Sequence, residues 1–235
     1  MSVPYFYEPQ LMAGTTHFTL SEISAKHCVQ VLRMKEGDRL DITNGLGLLA
    51  EATLVSANKK NASITIVKEF TTPAPTQKII LGISLLKNAV RLEWLFEKAT
   101  EMGIHSLVPL VCERTIHERY KLERMQNIVQ SAMIQSKQTY LPLLMPPTQF
   151  SDFLVQNQSL STIKYIAHCE PTEKISIKEI ALSNDCLLLI GPEGDFTPAE
   201  IKKALDQNYH PIHLGNTRLR TETAGLFALS VLKKF

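Results

Sequence analysis

Along the chain the spacing of apolar positions changes character once. Between Asp38 and Glu69 apolar residues alternate with polar ones or run in short β-branched stretches. They predict strands over 38–43, 49–57 and 62–69, broken by the turn-like Asn44-Gly45-Leu46-Gly47. Residues 71–76 then place two prolines within four positions, which suits neither a strand nor a helix interior and marks a linker. This sets a boundary between a domain at 1–72 and a second at 73–235. After it, strands alternate with helices. Strands are expected at 78–86, 106–112, 163–169, 186–190 and 211–214. A helix over 88–103 carries Leu92, Leu95, Phe96, Ala99 and Met102 on one face and stops at Gly103. A second runs from Tyr120 to Lys137, with Met125, Ile128, Val129, Ala132 and Met133 as its stripe. A short helix is expected near Phe150–Val155. The last helix repeats Ala224, Phe227, Ala228, Val231, Leu232 and Phe235. Such alternation predicts an α/β domain with a mostly parallel sheet covered on both faces.

Composition narrows the class. Hydrophobic residues are 44% and charged residues 20% of the 235 positions, so a packed core is expected rather than disorder. No run approaches the roughly 20 apolar residues of a membrane helix, and the first ten residues lack the build of a signal peptide. Cys28, Cys112, Cys169 and Cys186 lie far apart without Cys/His clustering, which predicts neither a disulfide framework nor a metal site. A reducing cytoplasm is the expected location. Net charge is only +2, but residues 71–140 hold nine Lys and Arg against six Asp and Glu. That mild basic bias is compatible with a phosphate backbone, and equally with a solvated helix face.

Two loops hold the candidate chemistry, because ligands of parallel sheets sit beyond the carboxyl ends of the strands. The first is Gly191-Pro192-Glu193-Gly194-Asp195-Phe196, after the apolar run 186–190. Thr197-Pro198-Ala199-Glu200 follows as a capping box with proline at the first helical position. Two acids and no lysine make it a poor triphosphate cradle, and neither GxGxxG nor GxxxxGK[ST] occurs. An ammonium or sulfonium ligand would suit it better. The second loop, Leu214 to Ala224, runs into the last helix. Capping would account for Thr221 and Glu222. It leaves Arg220 unexplained, since a cation is misplaced at a helix N-terminus, and this points Arg220 toward an anion.

GPEGDF after an apolar strand, then LGNTRLRTETA before a final helix, looks like the paired ligand loops of the SPOUT methyltransferases. More narrowly, the chain resembles the ribosomal RNA small-subunit methyltransferase E family, the 16S rRNA uracil-N3 methyltransferases. His27-x-x-x-Val31-Leu32-Arg33, Lys87 with Arg91-Leu92-Glu93, Glu97 to Gly103, Pro109-Leu110 and Glu113-Arg114-Thr115 resemble further pieces of that family. The resemblance implies a PUA-like β-barrel that grips RNA, then a SPOUT-type parallel sheet with a C-terminal trefoil knot. It also implies a homodimer acting on 16S rRNA of the small ribosomal subunit. S-adenosyl-L-methionine would be held by Ala167 and His168, by Ile190, Gly191, Pro192, Glu193 and Gly194, and by Leu214, Gly215, Leu219, Thr223 and Ala224. Arg220 and Glu222 are the expected catalytic pair, with Glu222 either a base or the partner of an arginine. Arg33, Lys35, Arg91 and Arg114 are expected at the RNA. Three positions depart from the family pattern: Asp195 stands where a glycine is usual, Thr217 where an arginine is usual, and Gln138 ends a motif that usually reads EQSGR. The competing readings are a SPOUT enzyme acting on another RNA and a non-catalytic RNA-binding protein.

Overall fold

The structure, a computed structural model, describes residues 3–116, 119–180 and 185–233. Phe235, expected on the last helix, lies outside the described residues. The chain divides into two compact units, Met1–Ala74 with Gln130–Leu141, and Pro75–Val129 with Pro142–Phe235.

The first unit contains β1 (Tyr5–Tyr7), β2 (His17–Thr19), α1 (Glu22–Lys26), β3 (Arg39–Thr43), β4 (Leu48–Ser56) and β5 (Ser63–Thr71). They form one sheet in the order β1-β3-β4-β5-β2, antiparallel except where β1 joins β3. Period-two patterning explains the core: on β4, Leu48, Ala50, Ala52 and Leu54 are buried while Glu51 and Val55 face water. The edge strands β1 and β2 are linked just past their ends. There the buried Glu8 carboxylate accepts from the Ser21 amide at 3.1 Å and the Ser21 hydroxyl at 3.0 Å. After α1 the helix widens into a π-helical turn, His27–Val31, and Arg33 then takes a left-handed backbone at φ 55°. Gln130–Leu141 joins this unit by backbone bonds to the 44–47 turn. Gly47 N–H donates to Thr139 O at 2.8 Å, and Leu141 N–H donates to Gly45 O at 2.9 Å.

In the second unit the strands are β6 (Ile79–Ser84), β7 (Ser106–Val111), β8 (Leu143–Leu144), β9 (Thr148–Gln149), β10 (Ile163–Ala167), β11 (Ile175–Ser176), β12 (Cys186–Ile190) and β13 (Tyr209–His213). Its helices are α2 (Ala89–Glu101), α3 (Leu122–Gln135), α4 (Phe150–Gln156), α5 (Pro198–Asp206) and α6 (Thr221–Leu232), and the second half of α3 groups with the first unit. All pairings are parallel, in the order β11-β13-β10-β12-β6-β7-β8, with β9 also on β7. Helices cover both faces, as the alternation predicts. A Cβ on Gly82 would meet Leu110, Leu189 and Phe153 of α4, whereas the next residue, Ile83, meets Gly225 of α6. Adjacent strand residues point to opposite faces, so α4 lies on one side and α6 on the other. Phe150, Phe153, Phe196, Ile201 and Ala204 share the core of the α4 face.

Candidate active site

Ala167 is in register with both Ile190 and Ile212, so β13, β10 and β12 end side by side. The loops leaving these three ends surround a cavity of about 660 Å³. Ala167, His168, Ile190, Gly191, Pro192, Glu193, Leu214, Gly215, Leu219 and Ala224 line it together with Arg220. Three expected site residues stand off it. Gly194 faces outward, with its carbonyl bound to Arg114. Thr223 is exposed on the first turn of α6. Glu222 is buried, its Oε1 3.6 Å from Arg91 Nε, because α6 packs on α2.

The first loop is held from within and from behind. Gly191 packs so closely on Phe196 that a Cβ would lie 3.0 Å from the Phe196 amide, and the Phe196 ring is itself fully buried. Asp195 closes the turn by donating its amide to Pro192 O at 2.9 Å, with φ at 65°. That left-handed conformation suits glycine and is tolerated by Asp. The Asp195 carboxylate accepts from the Cys169 amide at 2.7 Å and from the Phe196 amide at 2.8 Å, tying this loop to the one after β10. The capping box at Thr197 is present as expected. Behind it, the Glu113 amide donates to Glu200 at 2.9 Å and Arg114 Nη1 donates to Gly194 O at 2.7 Å. Thr115 Oγ1 accepts from the Cys112 amide at 2.8 Å and lies 3.0 Å from Ser84 Oγ. Glu113 and Arg114 thus brace the 191–197 loop, and Thr115 fixes their own turn.

His168 is buried, and both its ring nitrogens are closed off without a hydrogen-bond partner. Burial pushes its pKa below the ordinary histidine value, the Lys174 cation adds to that, and Asp195 and Glu170 oppose it. Lys174 donates to the carbonyls of His168 at 3.0 Å and Glu170 at 2.7 Å, bending its segment back over the cavity.

At the second loop the structure corrects the capping assignment. Arg220, not Thr221, is the N-cap of α6, with extended backbone and no side-chain cap bond; Thr221 is the first helical residue. The reason is that the helical ladder starts at the Arg220 carbonyl, which accepts from the Ala224 amide at 2.7 Å. The Arg220 side chain has no carboxylate partner among the described residues. Thr217 and Arg218 also line the cavity.

Arg33 and Lys35 are exposed in the first unit, next to exposed Val31 and Leu32. Gln138 also belongs to that unit, its carbonyl accepting from the Tyr5 hydroxyl at 3.0 Å. Among the described residues no His, Cys, Asp and Glu group could hold a metal, and no helix is long and apolar enough to cross a membrane. Asn216 lies within the second candidate loop, whereas Lys174 and His213 join the wall from outside both loops. His213 is the last residue of β13, and Lys174 stands just before β11.

A parallel sheet with loop-built walls at its carboxyl ends, in a chain that also holds a small β unit, defines a class that the chain's likenesses name. Residues 72–233 match the RNA methyltransferase domain family, and residues 24–67 match the RNA methyltransferase PUA domain family. The ribosomal RNA small subunit methyltransferase E of Bacillus subtilis is 30% identical over 243 residues, which cover 97% of this chain and 94% of the relative. A probable rRNA-methyltransferase from Porphyromonas gingivalis superposes with a TM-score of 0.87 at 32% identity, covering 97% of this chain and 96% of that one. A ribosomal RNA small subunit methyltransferase E from Neisseria gonorrhoeae, solved bound to S-adenosyl methionine, superposes equally well, at 0.87 and 28% identity over 98% and 97% of the two chains. The chain belongs to the ribosomal RNA small-subunit methyltransferase E family.

Proposed function

We propose that the protein transfers a methyl group from S-adenosyl-L-methionine to N3 of a uridine in 16S ribosomal RNA of the small subunit, as a cytoplasmic homodimer. Residues 1–72 grip RNA, and residues 73–235 perform the transfer in a knotted SPOUT-type fold. The observation that carries this is the cavity itself, built from the two family loops at the ends of β10, β12 and β13. Its volume falls within the range of small-molecule sites. Its wall joins apolar Ile190, Leu214, Leu219 and Ala224 to acids (Glu193, Asp195) and cations (Lys174, Arg218), a donor set that fits a molecule with an adenosine, a sulfonium, an ammonium and a carboxylate. The knot is supported by strand order: β12 inserts between β10 and β6, and the chain then passes back across β10 to form β13. Dimerisation is supported by α6, apolar nearly all round, on which Leu226, Phe227 and Val231 remain half-buried, while Val90 and Trp94 are exposed on α2.

When bound, S-adenosyl-L-methionine supplies an electrophilic methyl carbon on its sulfonium. Loops 191–194 and 214–219 orient it, chiefly with backbone groups. Arg220 gathers the negative charge that spreads onto the uracil oxygens once N3 has lost its proton. Glu222 holds Arg91 and fixes the start of α6. Arg33, Lys35 and Arg91 meet the RNA, Arg91 steadied by Glu222, while Arg114 braces the 191–194 loop through the Gly194 carbonyl. The test is transfer of labelled methyl to small subunits lacking the native modification, read by nucleoside mass spectrometry. Labelled 3-methyluridine in 16S rRNA is expected. Label on another nucleoside would overturn the substrate, and no label from folded enzyme would overturn the activity.

A further inference from the structure

We propose that a second cavity beside the cofactor site receives the target uridine, and that Glu193 takes its N3 proton; this rests on the methyltransferase reading above. The cavity, about 500 Å³, is lined by Lys87, Asn88, Ala89, Arg91, Ile116 and Glu193. Glu193 is the residue common to its wall and to that of the cofactor cavity. A donor and an acceptor lodged in adjoining cavities must react where those cavities meet, and the side chain at that place is a carboxylate.

The chemistry of the second cavity matches one nucleotide of an RNA strand. Lys87 and Arg91 offer two cations to a phosphate or to the uracil oxygens, and the Ile116 side chain, 62% exposed, offers an apolar surface to a flat ring. Arg91 is held in place by Glu222. Glu193 is held as well: its Oε1 accepts from the Lys87 amide at 3.1 Å, which keeps the carboxylate at the boundary. Of the other acids and bases near the site, His213 and Cys169 line the cofactor cavity alone, away from the second one, and the rest are committed or closed off. Glu222 pairs with Arg91, Asp195 accepts from two backbone amides, and both His168 nitrogens are sealed from solvent.

The proton step balances without a further reagent. The N3–H bond breaks toward a Glu193 oxygen, its electron pair stays on N3 as the nucleophile, and the resulting carboxylic acid gives the proton to water after the product leaves.

Glu193→Gln tests this, because glutamine still accepts from the Lys87 amide but takes no proton. The full-length variant is expected to bind small subunits within about threefold of the unaltered protein by titration, while turnover at saturating S-adenosylmethionine falls by about a hundredfold or more. Small subunits from cells fed 5-fluorouracil, whose N3 proton is more acidic, should restore turnover to the variant far more than they raise that of the unaltered enzyme. Lys87→Glu is expected to weaken small-subunit binding about tenfold or more with S-adenosylhomocysteine affinity unchanged. Turnover of Glu193→Gln within about threefold of the unaltered enzyme overturns the proton assignment, as does a loss that 5-fluorouridine fails to relieve. Unchanged small-subunit binding by Lys87→Glu overturns the uridine site. Inactivity of the unaltered enzyme on these subunits would instead be a failure of the parent reading.

Discussion

Asp195 shows how a residue with a side chain can occupy a left-handed backbone position that favours glycine. Its backbone sits at φ 65°, and its carboxylate then reaches two amides on adjoining loops. Each such charge-assisted bond contributes on the order of 1.5–3 kcal/mol. Asp195→Gly keeps the backbone and loses both bonds, so S-adenosylmethionine affinity should drop about tenfold, with Asp195→Asn intermediate, as titration calorimetry would reveal. Equal affinity in the glycine variant would mean the tie does not position the ligand. Arg220→Ala should cut turnover by about a hundredfold or more while S-adenosylhomocysteine affinity stays within about threefold, since its charge is needed only as the base ionises. Cys169 gives a reporter independent of turnover. Cys112 and Cys186 are buried and pushed up to about 12 by that burial, and Cys28 is also buried and raised. Cys169 is exposed on the cavity wall, though burial of its sulfur and the Asp195 charge raise it too. One thiol per folded chain should therefore react with a maleimide, faster as pH rises, and bound S-adenosylhomocysteine should slow it. Modification of two or more thiols at the same rate would contradict this packing.

Among elements, those with strong periodicity could be read directly. The predicted helix over 88–103 is α2 at Ala89–Glu101 capped by Asn88, and the apolar run 186–190 is β12 residue for residue. Elements of two or three residues, such as β1, β2, β8, β9 and β11, are too short to show any period and were not foreseen. The start of α6 misled for a different reason: Thr221 has the chemistry of a cap, but the cap is set by which carbonyl begins the ladder. The site was legible where loops follow strands. The bond from Arg114 to a carbonyl 80 positions away leaves no trace in the local sequence. The 44–47 turn supplies the prediction at this scale. Gly47 has φ at 97°, and a Cβ there would fall on the Tyr140 hydroxyl, which itself donates to Thr72 O at 2.9 Å. Gly47→Ala should lose about 2–4 kcal/mol in thermal or urea unfolding, and Tyr140→Ala in the same chain should recover part of that. A loss below about 0.5 kcal/mol would show that the turn relaxes freely.

For the molecule as a whole, a proline-rich linker near residue 72 suggests a boundary, and the leading segment of the first compact unit ends at Ala74. What no linker could announce is that the same unit takes back Gln130–Leu141, so the chain passes between units three times, at 74/75, 129/130 and 141/142. Residues 1–74 alone should therefore lack part of their own structure: the bonds to Gly45, Gly47, Tyr5 and Thr72 all come from 138–141. We expect that fragment to show no sharp thermal transition by circular dichroism, and to gain one when residues 130–141 are joined to it by a short linker. A cooperative transition in the bare fragment would argue otherwise. The same connectivity sets an order of events during synthesis. The unit that is begun first is completed only after residue 141 has cleared the exit tunnel, by which time the opening strands and helix of the methyltransferase unit are already outside. Ribosome stalling or a slow codon before that point would leave an unfinished β sheet waiting, its last partner still inside the exit tunnel.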